Sequence, residues 1–462
     1  MATISIANWA VSLEYTSLPQ GVIRAATRSF YNWAGCALGG SNHRTTTTAL
    51  KALSPFFGPS TSSILGRANG GGGGGDSLPK RADASHAALI NGIASHVHDY
   101  DDTHLETIIH PTGPVASALL AQAEAQGNVS GKDFILALVA GIEAECKVGL
   151  AVWPKHYDIG CVSSDDRHIT STTGSIGAAV AVAKLLKLTP EQMAHAIGIA
   201  ATQVTGLREM FGSDTKSFHV GRSAQNGLMA AVLASNGYTS SLQALEAKRG
   251  WANVVSETQN LSERVTTLGS VWEIEKNSFK PFPCGIVVHP VIDGCIQLHR
   301  EMTSSGCRPG DITRVHCRVH PLVLELTGKK TPRDGLQAKF SVYHGGAAGL
   351  VFGRAGPAAY EDAVVTSDEI IGVRDKIDAV ADETLGADET EIVAEFRDGT
   401  RLTKHVVHAI GSLEVPMTDQ QLEAKFIDQV SQVLGSQKAS EASKVCWSVE
   451  SARDTGELSR ML

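Results

Sequence analysis

The amino-acid sequence predicts a mostly α-helical protein, with a large all-helical domain and a smaller α+β domain. Three observations predict this fold class. Small apolar residues recur at helical spacing up to about residue 268, strand-like alternation is confined to 269–405, and helical spacing returns near residue 417. A chain of 462 residues also exceeds the length at which a single core stops growing. We therefore predict a helical domain over 1–268, an α+β domain over 269–405 and a segment over 406–462 that returns to the helical domain.

Capping signals mark helices in the first domain and in the C-terminal segment. Residues 189–192 (TPEQ) predict a helix start, because threonine caps, proline suits the first turn and the glutamine can close a capping box. The long apolar run 134–152 and the segment 223–235 predict two further helices. Thr418 is predicted to cap a helix that extends to about residue 434.

The predicted α+β domain has signals of its own. Residues 312–319 (ITRVHCRV) alternate apolar and polar side chains, as a half-buried strand does. Residues 391–396 and 402–407 alternate in the same way around Asp398-Gly399, which predicts a β-hairpin. Helices are predicted near 288–302, 340–351 and 368–380.

Composition and charge argue against several function classes. The formal net charge of −8 disfavours a nucleic-acid binder, which needs a basic surface. The eight cysteines include no CxxC pair, so a zinc ribbon or an iron–sulfur cluster is not indicated and a reducing compartment is expected. The first basic residue is Arg24, which is not typical of a signal or transit peptide, and no apolar run reaches membrane-spanning length. We therefore expect a cytoplasmic protein without nucleic-acid or membrane partners.

The stretch from His96 to His110 (HVHDYDDTHLETIIH) concentrates titratable side chains in an otherwise apolar chain. It contains four histidines and four carboxylates in fifteen residues. Histidine titrates near neutral pH, and neighbouring carboxylates tune its pKa. The pattern therefore indicates proton transfer or metal binding, and the alternative is a solvated loop between two helices.

Four further segments carry ionisable side chains next to predicted helix ends. Each alone is a weak signal, because a single lysine or histidine at such a place is more often a cap or a surface charge. The four segments are HITSTTGS at 168–175, DTKSFHVGR at 214–222, KPFPCGIVVH at 280–289 and KFSVYHG at 339–345.

Taken together, HDYDDT, HITSTTGS, TKSFHVG, KPFPC and AKFSVYH resemble the motifs of the MmgE/PrpD family in the same order along the chain. Residues 411–426 (GSLEVPMTDQQLEAKF) resemble the C-terminal signature of that family. The resemblance implies a large helical domain built from both termini, a smaller α+β lid domain and an active site in the cleft between them. It also implies a homodimeric enzyme that needs no cofactor and acts on small polycarboxylates.

The resemblance also implies roles for individual residues, and the residue types suit the chemistry. Lysine ammonium groups form charge-assisted hydrogen bonds with substrate carboxylates, and they stabilise charge that develops there during proton abstraction. A histidine can move the proton near neutral pH, and a carboxylate can orient it or raise its pKa. Asp101 and Asp102 are interpreted as structural. The implied catalytic residues are His110, Asp99, His168 and Tyr343, and the implied substrate-binding residues are Lys216, Lys280, Thr103 and His289.

The sequence departs from the family pattern at three places. Residues 161–167 separate Gly160 from His168 where family members usually read Gly-Trp-His, so the spacing before His168 differs from the family pattern. Gly285 stands where many members have a second cysteine, and the histidine of the vertebrate decarboxylase near that point is absent. The six glycines at 70–75 are not followed by a lysine or a helix start, so they predict a surface loop and not a phosphate-binding loop.

The leading functional interpretation is a lyase that dehydrates a citrate-like or 2-methylcitrate-like polycarboxylate by proton abstraction beside a carboxylate. A cis-aconitate-type decarboxylase and a dicarboxylate epimerase of the same family are alternatives, because they share that step or its reverse. A metal-dependent hydrolase is the alternative from another class. It would use His96, His98, Asp99 and Asp102, whose spacing suits a metal site. A non-catalytic scaffold would not need the ionisable residues that every matched motif retains.

Overall fold

The computed structural model describes residues 1–67, 78–152, 167–204 and 206–462, and these residues form two hydrophobic cores. The first core takes residues between 2 and 279 and again between 417 and 462, and the second takes residues between 282 and 396. The predicted fold class, a large helical domain with a smaller α+β domain, is confirmed. The six-glycine run and residues 161–166 lie outside the described residues.

The helices and strands are numbered in chain order. The N-terminal part of the helical domain contains α1 Ala2–Ser12, α2 Gln20–Gly40, α3 Arg44–Leu53, β1 Ser62–Ser63, β2 Arg81–Ala82, α4 Ala84–His96, β3 Asp102–His104, α5 Thr112–Gln126, α6 Gly131–Val152, α7 Ile169–Leu185, α8 Pro190–Ala201, α9 Asp214–Ser235, α10 Trp251–Val255, α11 Leu261–Arg264 and β4 Asn277–Phe279. The α+β domain contains α12 His289–Ser304, β5 Ile312–Val319, α13 Pro321–Thr327, α14 Gly335–Ala338, α15 Val342–Phe352, α16 Asp362–Val365, α17 Asp368–Arg374, β6 Ile377–Ala381, β7 Thr390–Phe396 and β8 Arg401–Val406. The C-terminal part of the helical domain contains α18 Asp419–Leu434, α19 Ser436–Trp447 and α20 Thr455–Met461.

Helix α7 is the centre of the helical domain. All of its side chains except that of Lys184 are buried, and α5, α6, α8 and α9 pack around it. The packing depends on small residues, since a Cβ atom added at Gly141 of α6 would lie 2.7 Å from the carbonyl oxygen of Gly177. The capping box predicted at Thr189 and the cap predicted at Thr418 are both present, the second also as a capping box, and they start α8 and α18. Local sequence therefore determines where these helices begin, and small side chains determine how closely they pack.

The α+β domain is built on a four-stranded sheet in the order β6-β5-β7-β8. β6 and β5 are parallel, whereas β7 pairs antiparallel with both β5 and β8. The predicted hairpin at Asp398-Gly399 joins β7 to β8, and Gly399 takes the φ of 86° that its turn requires. α12 packs against β7 and β8, and α15 packs against α12 and β6. The helices thereby bury the apolar side chains of the sheet.

The structure differs from the sequence prediction at three elements. The helix predicted over 368–380 ends at Arg374, and the remaining residues form β6 because they pair with β5. α9 begins at Asp214, nine residues before the predicted helix, so the third motif is helical. Residues 274 and 279 belong to the first core, although the sequence boundary at 269 placed them in the α+β domain. All three differences result from long-range pairing and packing, which a local sequence pattern does not contain.

No helix in the described part of the chain is long and apolar enough to cross a membrane.

Candidate active site

The pairing of β3 with β4 brings the first and fourth motifs together. The two strands are antiparallel, with Asp102 opposite Phe279, and the backbone amide of Lys280 donates to the carbonyl oxygen of Asp101 at 3.3 Å. Lys280 therefore leaves β4 beside the turn that carries Asp99. Asp99 has a φ of 51°, a left-handed conformation that aspartate tolerates better than most residues. Non-glycine residues in this conformation are found disproportionately at functional sites.

A single carboxylate bridges two lysines from different motifs. Asp99 Oδ1 lies 2.5 Å from Lys280 Nζ, and Asp99 Oδ2 lies 3.1 Å from Lys216 Nζ. All three side chains are buried, and Lys216 lies in the first turn of α9. The Lys280 ammonium also lies 3.3 Å from the carbonyl oxygen of Asp99. Because an ammonium group has three donors, each lysine keeps a donor that none of these contacts uses.

The charges of these three groups follow from their mutual contacts. Burial raises the pKa of Asp99, but Lys216 and Lys280 lower it by more, so the pKa lies well below its usual value. Burial lowers the pKa of Lys280, but Asp99 and Asp101 raise it by more. For Lys216 burial is the larger effect, and its pKa is lowered despite Asp99. Of the two lysines that Asp99 bridges, Lys216 is therefore the one that loses its proton first as the pH rises.

His110 is oriented by the backbone of β3. Its Nδ1 lies 2.7 Å from the carbonyl oxygen of Asp102 and 3.2 Å from Thr103 Oγ1, while its backbone amide donates to Thr170 Oγ1 at 3.0 Å. A carbonyl oxygen only accepts hydrogen bonds, so Nδ1 carries the hydrogen and Nε2 is the atom that gains or loses a proton. Burial, followed by the Lys280 charge, holds the pKa of His110 well below its usual value. His110 is therefore neutral near pH 7, with a lone pair on Nε2.

His96 and His168 complete a buried group of three imidazoles. Their ring centroids lie 4.8 Å and 6.2 Å from that of His110. Nδ1 of His96 lies 2.7 Å from Asp101 Oδ2, and its Nε2 lies 2.8 Å from Lys216 Nζ. His168 is the residue before α7, and its Nδ1 lies 3.2 Å from Nδ1 of His219 on α9. Burial is the main cause that lowers the pKa of both His96 and His168.

The cluster lines a cavity of about 40 Å³ between the two domains. Phe211 of the helical domain and Phe340 of the α+β domain stack over it, with ring centroids 5.3 Å apart. The Lys216 ammonium lies 5.3 Å and 5.5 Å from these two centroids, a distance at which cations are attracted to aromatic faces. A cavity of this size holds a few water molecules and is smaller than a polycarboxylate. We infer that the domains move apart when a substrate enters.

Three of the predicted site residues do not line the cavity, and of these Thr103 still contacts His110. Tyr343 is buried in α15 as part of the second core, and the Lys330 ammonium lies 5.6 Å from its ring centroid. His289 is buried at the start of α12 against Phe282, with ring centroids 5.4 Å apart. The roles predicted for Tyr343 and His289 stay predictions. The structure does bring together Asp99, Thr103, His110, His168, Lys216 and Lys280.

Sequence reasoning missed part of the cluster. His96 was assigned only to the alternative metal site, and Asp101 was interpreted as structural, yet they form a buried pair beside Lys216. Their contact depends on α4 ending at His96, so that the next five residues turn back on it. Phe211 and Phe340 lie in different domains, and no sequence signal marks their stacking.

Of the four ligands predicted for the alternative metal-dependent hydrolase, His96 and Asp99 lie together at metal-ligand spacing, and His98 and Asp102 have other contacts. His98 lies against His43, with ring centroids 5.3 Å apart. The Asp102 carboxylate accepts hydrogen bonds from Thr112 and Asn277. His96 does lie near other histidines and carboxylates at metal-ligand spacing, but its Nε2 already accepts from the Lys216 ammonium. A positive charge at that point disfavours a metal cation.

Family comparisons agree with this two-domain arrangement. The family model of the MmgE/PrpD N-terminal domain matches residues 4–264, and that of the MmgE/PrpD C-terminal domain matches residues 282–449. The chain belongs to the MmgE/PrpD family, and the resemblance inferred from the motifs is confirmed.

Several relatives are identical to the chain at about a quarter of the aligned positions. A cis-aconitate decarboxylase-like protein, oryM, of Aspergillus oryzae is 26% identical over 99% of this chain and 96% of its own. The cis-aconitate decarboxylase of Mus musculus is 24% identical over 100% of this chain and 93% of its own. The 2-methylcitrate dehydratase of Escherichia coli K12 is 26% identical, but over 50% of this chain and 51% of its own.

Proposed function

We propose that the protein is a lyase that acts on a small polycarboxylate, with proton transfer at a carbon beside a carboxylate. One observation carries this proposal: the ammonium groups of Lys216 and Lys280, bridged by Asp99, lie beside His110 in a buried cavity between the domains. Relatives named decarboxylase and dehydratase match the chain, and both names describe lyases.

Substrate binding depends on the two lysines. Each keeps an N–H donor, and charge-assisted hydrogen bonds from two ammonium groups would fix two carboxylates of one molecule. Because Asp99 already holds both lysines in place, little reorganisation is needed as negative charge develops on the substrate. This arrangement favours substrates with at least two carboxylates.

Proton transfer is assigned to His110 Nε2. Its Nδ1 hydrogen is donated to the Asp102 carbonyl oxygen, so the ring can exchange protons only at Nε2. The carboxylates of a bound substrate would raise the low pKa of His110, because nearby negative charge favours the imidazolium. His110 is therefore neutral in the empty site and takes up a proton more readily once a polyanion is bound.

Within this class, decarboxylation of a cis-aconitate-like substrate is the first candidate. The relatives named cis-aconitate decarboxylase match nearly the whole chain, whereas the 2-methylcitrate dehydratases match half of it. In this reaction the carbon–carboxylate bond breaks, carbon dioxide leaves, and the electron pair shifts through the double bond. His110 Nε2 then donates its proton to the far alkene carbon, and solvent returns a proton to His110.

Dehydration of a citrate-like substrate is the second candidate. The neutral state of His110 in the empty site favours it, because a base must remove the proton beside the carboxylate. The carbon–oxygen bond then breaks, and the hydroxyl leaves as water once it has gained a proton. The tyrosine that the sequence suggested as that donor, Tyr343, is not among the residues that line the cavity.

The experiment that separates these reactions is a proton NMR time course in heavy water with EDTA-treated enzyme. The panel is citrate, 2-methylcitrate, cis-aconitate and succinate derivatives. Carbon dioxide release from cis-aconitate, with one solvent deuteron bound to product carbon, is the expected result. An alkene product without carbon dioxide would favour dehydration. No turnover of any polycarboxylate, or turnover that returns only with added metal, would contradict the proposal.

We also propose that the protein is a homodimer. Helix α9 carries partly exposed apolar side chains at Phe218, Met229 and Leu233, spaced so that they share one face, and Tyr238 just beyond it is 60% exposed. Water contact with such a face is unfavourable, and a second copy of the chain would cover it. Light scattering on the purified protein should give twice the chain mass, and Met229→Glu should reduce it to one. A monomeric wild-type protein would contradict this proposal.

A further inference from the structure

We propose that His96 and Asp101 form a positioning pair that holds the Lys216 ammonium in the orientation in which it binds a substrate carboxylate. This inference rests on the proposed function, in which Lys216 is a substrate-binding residue. The pair acts through Lys216.

Both residues of the pair are buried, and His96 is hydrogen-bonded to Lys216. His96 ends α4 and is 2% exposed, and Asp101 is fully buried. Nδ1 of His96 lies 2.7 Å from Asp101 Oδ2, and Nε2 lies 2.8 Å from Lys216 Nζ. The Asp101 backbone is tied to the site as well, because its carbonyl oxygen accepts the amide of Lys280. The contacts therefore form a chain from carboxylate to imidazole to ammonium.

The donors and acceptors along this chain can be assigned in one way. A lysine ammonium only donates, so His96 Nε2 must accept. The hydrogen of the neutral ring is then on Nδ1, where it is donated to the Asp101 carboxylate. Asp101 thus selects the tautomer of His96 that leaves a lone pair facing Lys216. In the other tautomer an N–H group would face the ammonium, and the hydrogen bond would be lost.

The pair affects both the orientation of the Lys216 ammonium group and the pH at which it loses its proton. Asp99 and His96 take two of its three donors, which leaves the third for a substrate carboxylate. An acceptor at 2.8 Å also favours the charged form of a lysine whose burial works against it. Loss of the acceptor would therefore weaken anion binding and let Lys216 lose its proton at lower pH.

Three substitutions test this inference, and α4 offers a matched control. His96→Gln keeps an amide oxygen near the place of Nε2, whereas His96→Asn is too short to reach Lys216. Asp101→Asn removes the charge that selects the tautomer. The control is His86→Gln, because His86 lies on the same helix with its Nδ1 2.7 Å from Asp83 Oδ2 and does not line the cavity.

Two measurements are needed. Calorimetry gives the affinity for propane-1,2,3-tricarboxylate, an unreactive polycarboxylate, and NMR of ¹⁵N-lysine-labelled protein follows the titration of Lys216, assigned with Lys216→Arg. His96→Asn and Asp101→Asn should bind about tenfold more weakly, the loss expected for one hydrogen bond to a charged group. Their Lys216 should titrate at lower pH than in the wild type. His96→Gln and His86→Gln should remain within about threefold of the wild type.

Two results would overturn the inference. One is wild-type affinity together with wild-type titration of Lys216 in His96→Asn. The other is an equal loss in His96→Gln and His96→Asn with unchanged Lys216 titration, which a purely structural histidine would give. If the wild-type protein neither binds nor converts a polycarboxylate, the proposed function fails, and the Lys216 titration alone still decides whether the pair positions the lysine.

Discussion

Asp99 determines the charge of the site because it is buried between two lysines. A buried carboxylate is stable only while it has cationic partners, and Asp99 has one on each oxygen. The same bridge sets the separation of the two ammonium groups and hence the spacing of the carboxylates that they can bind. A conservative change at any of the three residues should therefore alter both stability and substrate binding.

Lys280→Met is expected to reduce turnover at least a hundredfold. It removes one carboxylate-binding group and leaves Asp99 with Lys216 as its remaining partner, which should cost about 3 kcal/mol of unfolding free energy. Steady-state kinetics and urea denaturation measure the two effects. The matched double variant Lys280→Met/Asp99→Asn should recover stability but not turnover. Wild-type turnover in Lys280→Met would remove this cluster from the active site.

His110→Gln is expected to bind the substrate and fail at the proton step. The glutamine keeps a polar side chain of similar reach, so Lys216 and Lys280 stay in place, but it cannot exchange a proton near neutral pH. Binding of propane-1,2,3-tricarboxylate by calorimetry should stay within about threefold of the wild type, while kcat falls by about a hundredfold or more. A fall in affinity with unchanged kcat would show that His110 binds substrate and does not move the proton.

At the scale of helices and strands, the predictions that held depend on local chemistry. The capping box at Thr189, the cap at Thr418 and the turn at Gly399 are properties of a few adjacent residues, and the structure contains all three. The helix predicted through residue 380 failed because β6 exists only by pairing with β5, which lies about sixty residues earlier.

The candidate site likewise contains residues that local motifs predicted and contacts that they did not predict. The motifs supplied Lys216, Lys280 and His110, whose residue types carry the chemistry. They did not supply the contact of His96 with Asp101, because that contact requires knowing where α4 ends. Tyr343 lies next to a recognisable motif, but the orientation of α15 buries it in the second core. Which way a helix faces depends on packing, and a single sequence does not specify it.

Strand β3 carries a carboxylate whose burial makes stability depend on pH. Burial raises the pKa of Asp102 from 3.8 to about 6, and the neighbouring Asp101 charge adds to this effect. The folded state therefore binds this proton more tightly than the unfolded state does. As the pH rises from about 4 to about 7, Asp102 loses this proton in the folded state, and the unfolding free energy should fall by about 3 kcal/mol.

Asp102→Asn should remove this cost, because an asparagine has no proton to lose. Its unfolding free energy, relative to the wild type, is expected to rise by about 3 kcal/mol between about pH 4 and pH 7. Urea denaturation at several pH values measures the difference, and Asp428→Asn on the exposed surface of α18 is the control. A difference that does not change with pH would mean that Asp102 is charged in the folded protein throughout this range.

For the whole molecule, we expect closure of the cleft to limit the access of a substrate to the site. The cavity of about 40 Å³ is too small for a polycarboxylate, and contacts between the domains hold it closed. Phe211 stacks on Phe340, and Arg208 Nη2 lies 3.1 Å from Glu325 Oε1 on α13. Substrate association should therefore depend on how often these contacts between the domains open.

Glu325→Ala is expected to increase the association rate of propane-1,2,3-tricarboxylate about threefold, because a partly exposed ion pair contributes up to about 1 kcal/mol to the closed state. The dissociation rate should rise at least as much, so the affinity should not improve. Stopped-flow fluorescence measures both rates. The control is Glu395→Ala, since Glu395 Oε1 pairs with Arg401 Nη2 at 3.0 Å within the α+β domain and does not bridge the cleft. An unchanged association rate in Glu325→Ala would mean that this ion pair does not limit access to the site. Equal increases in the association rates of both variants would mean that the effect comes from surface charge.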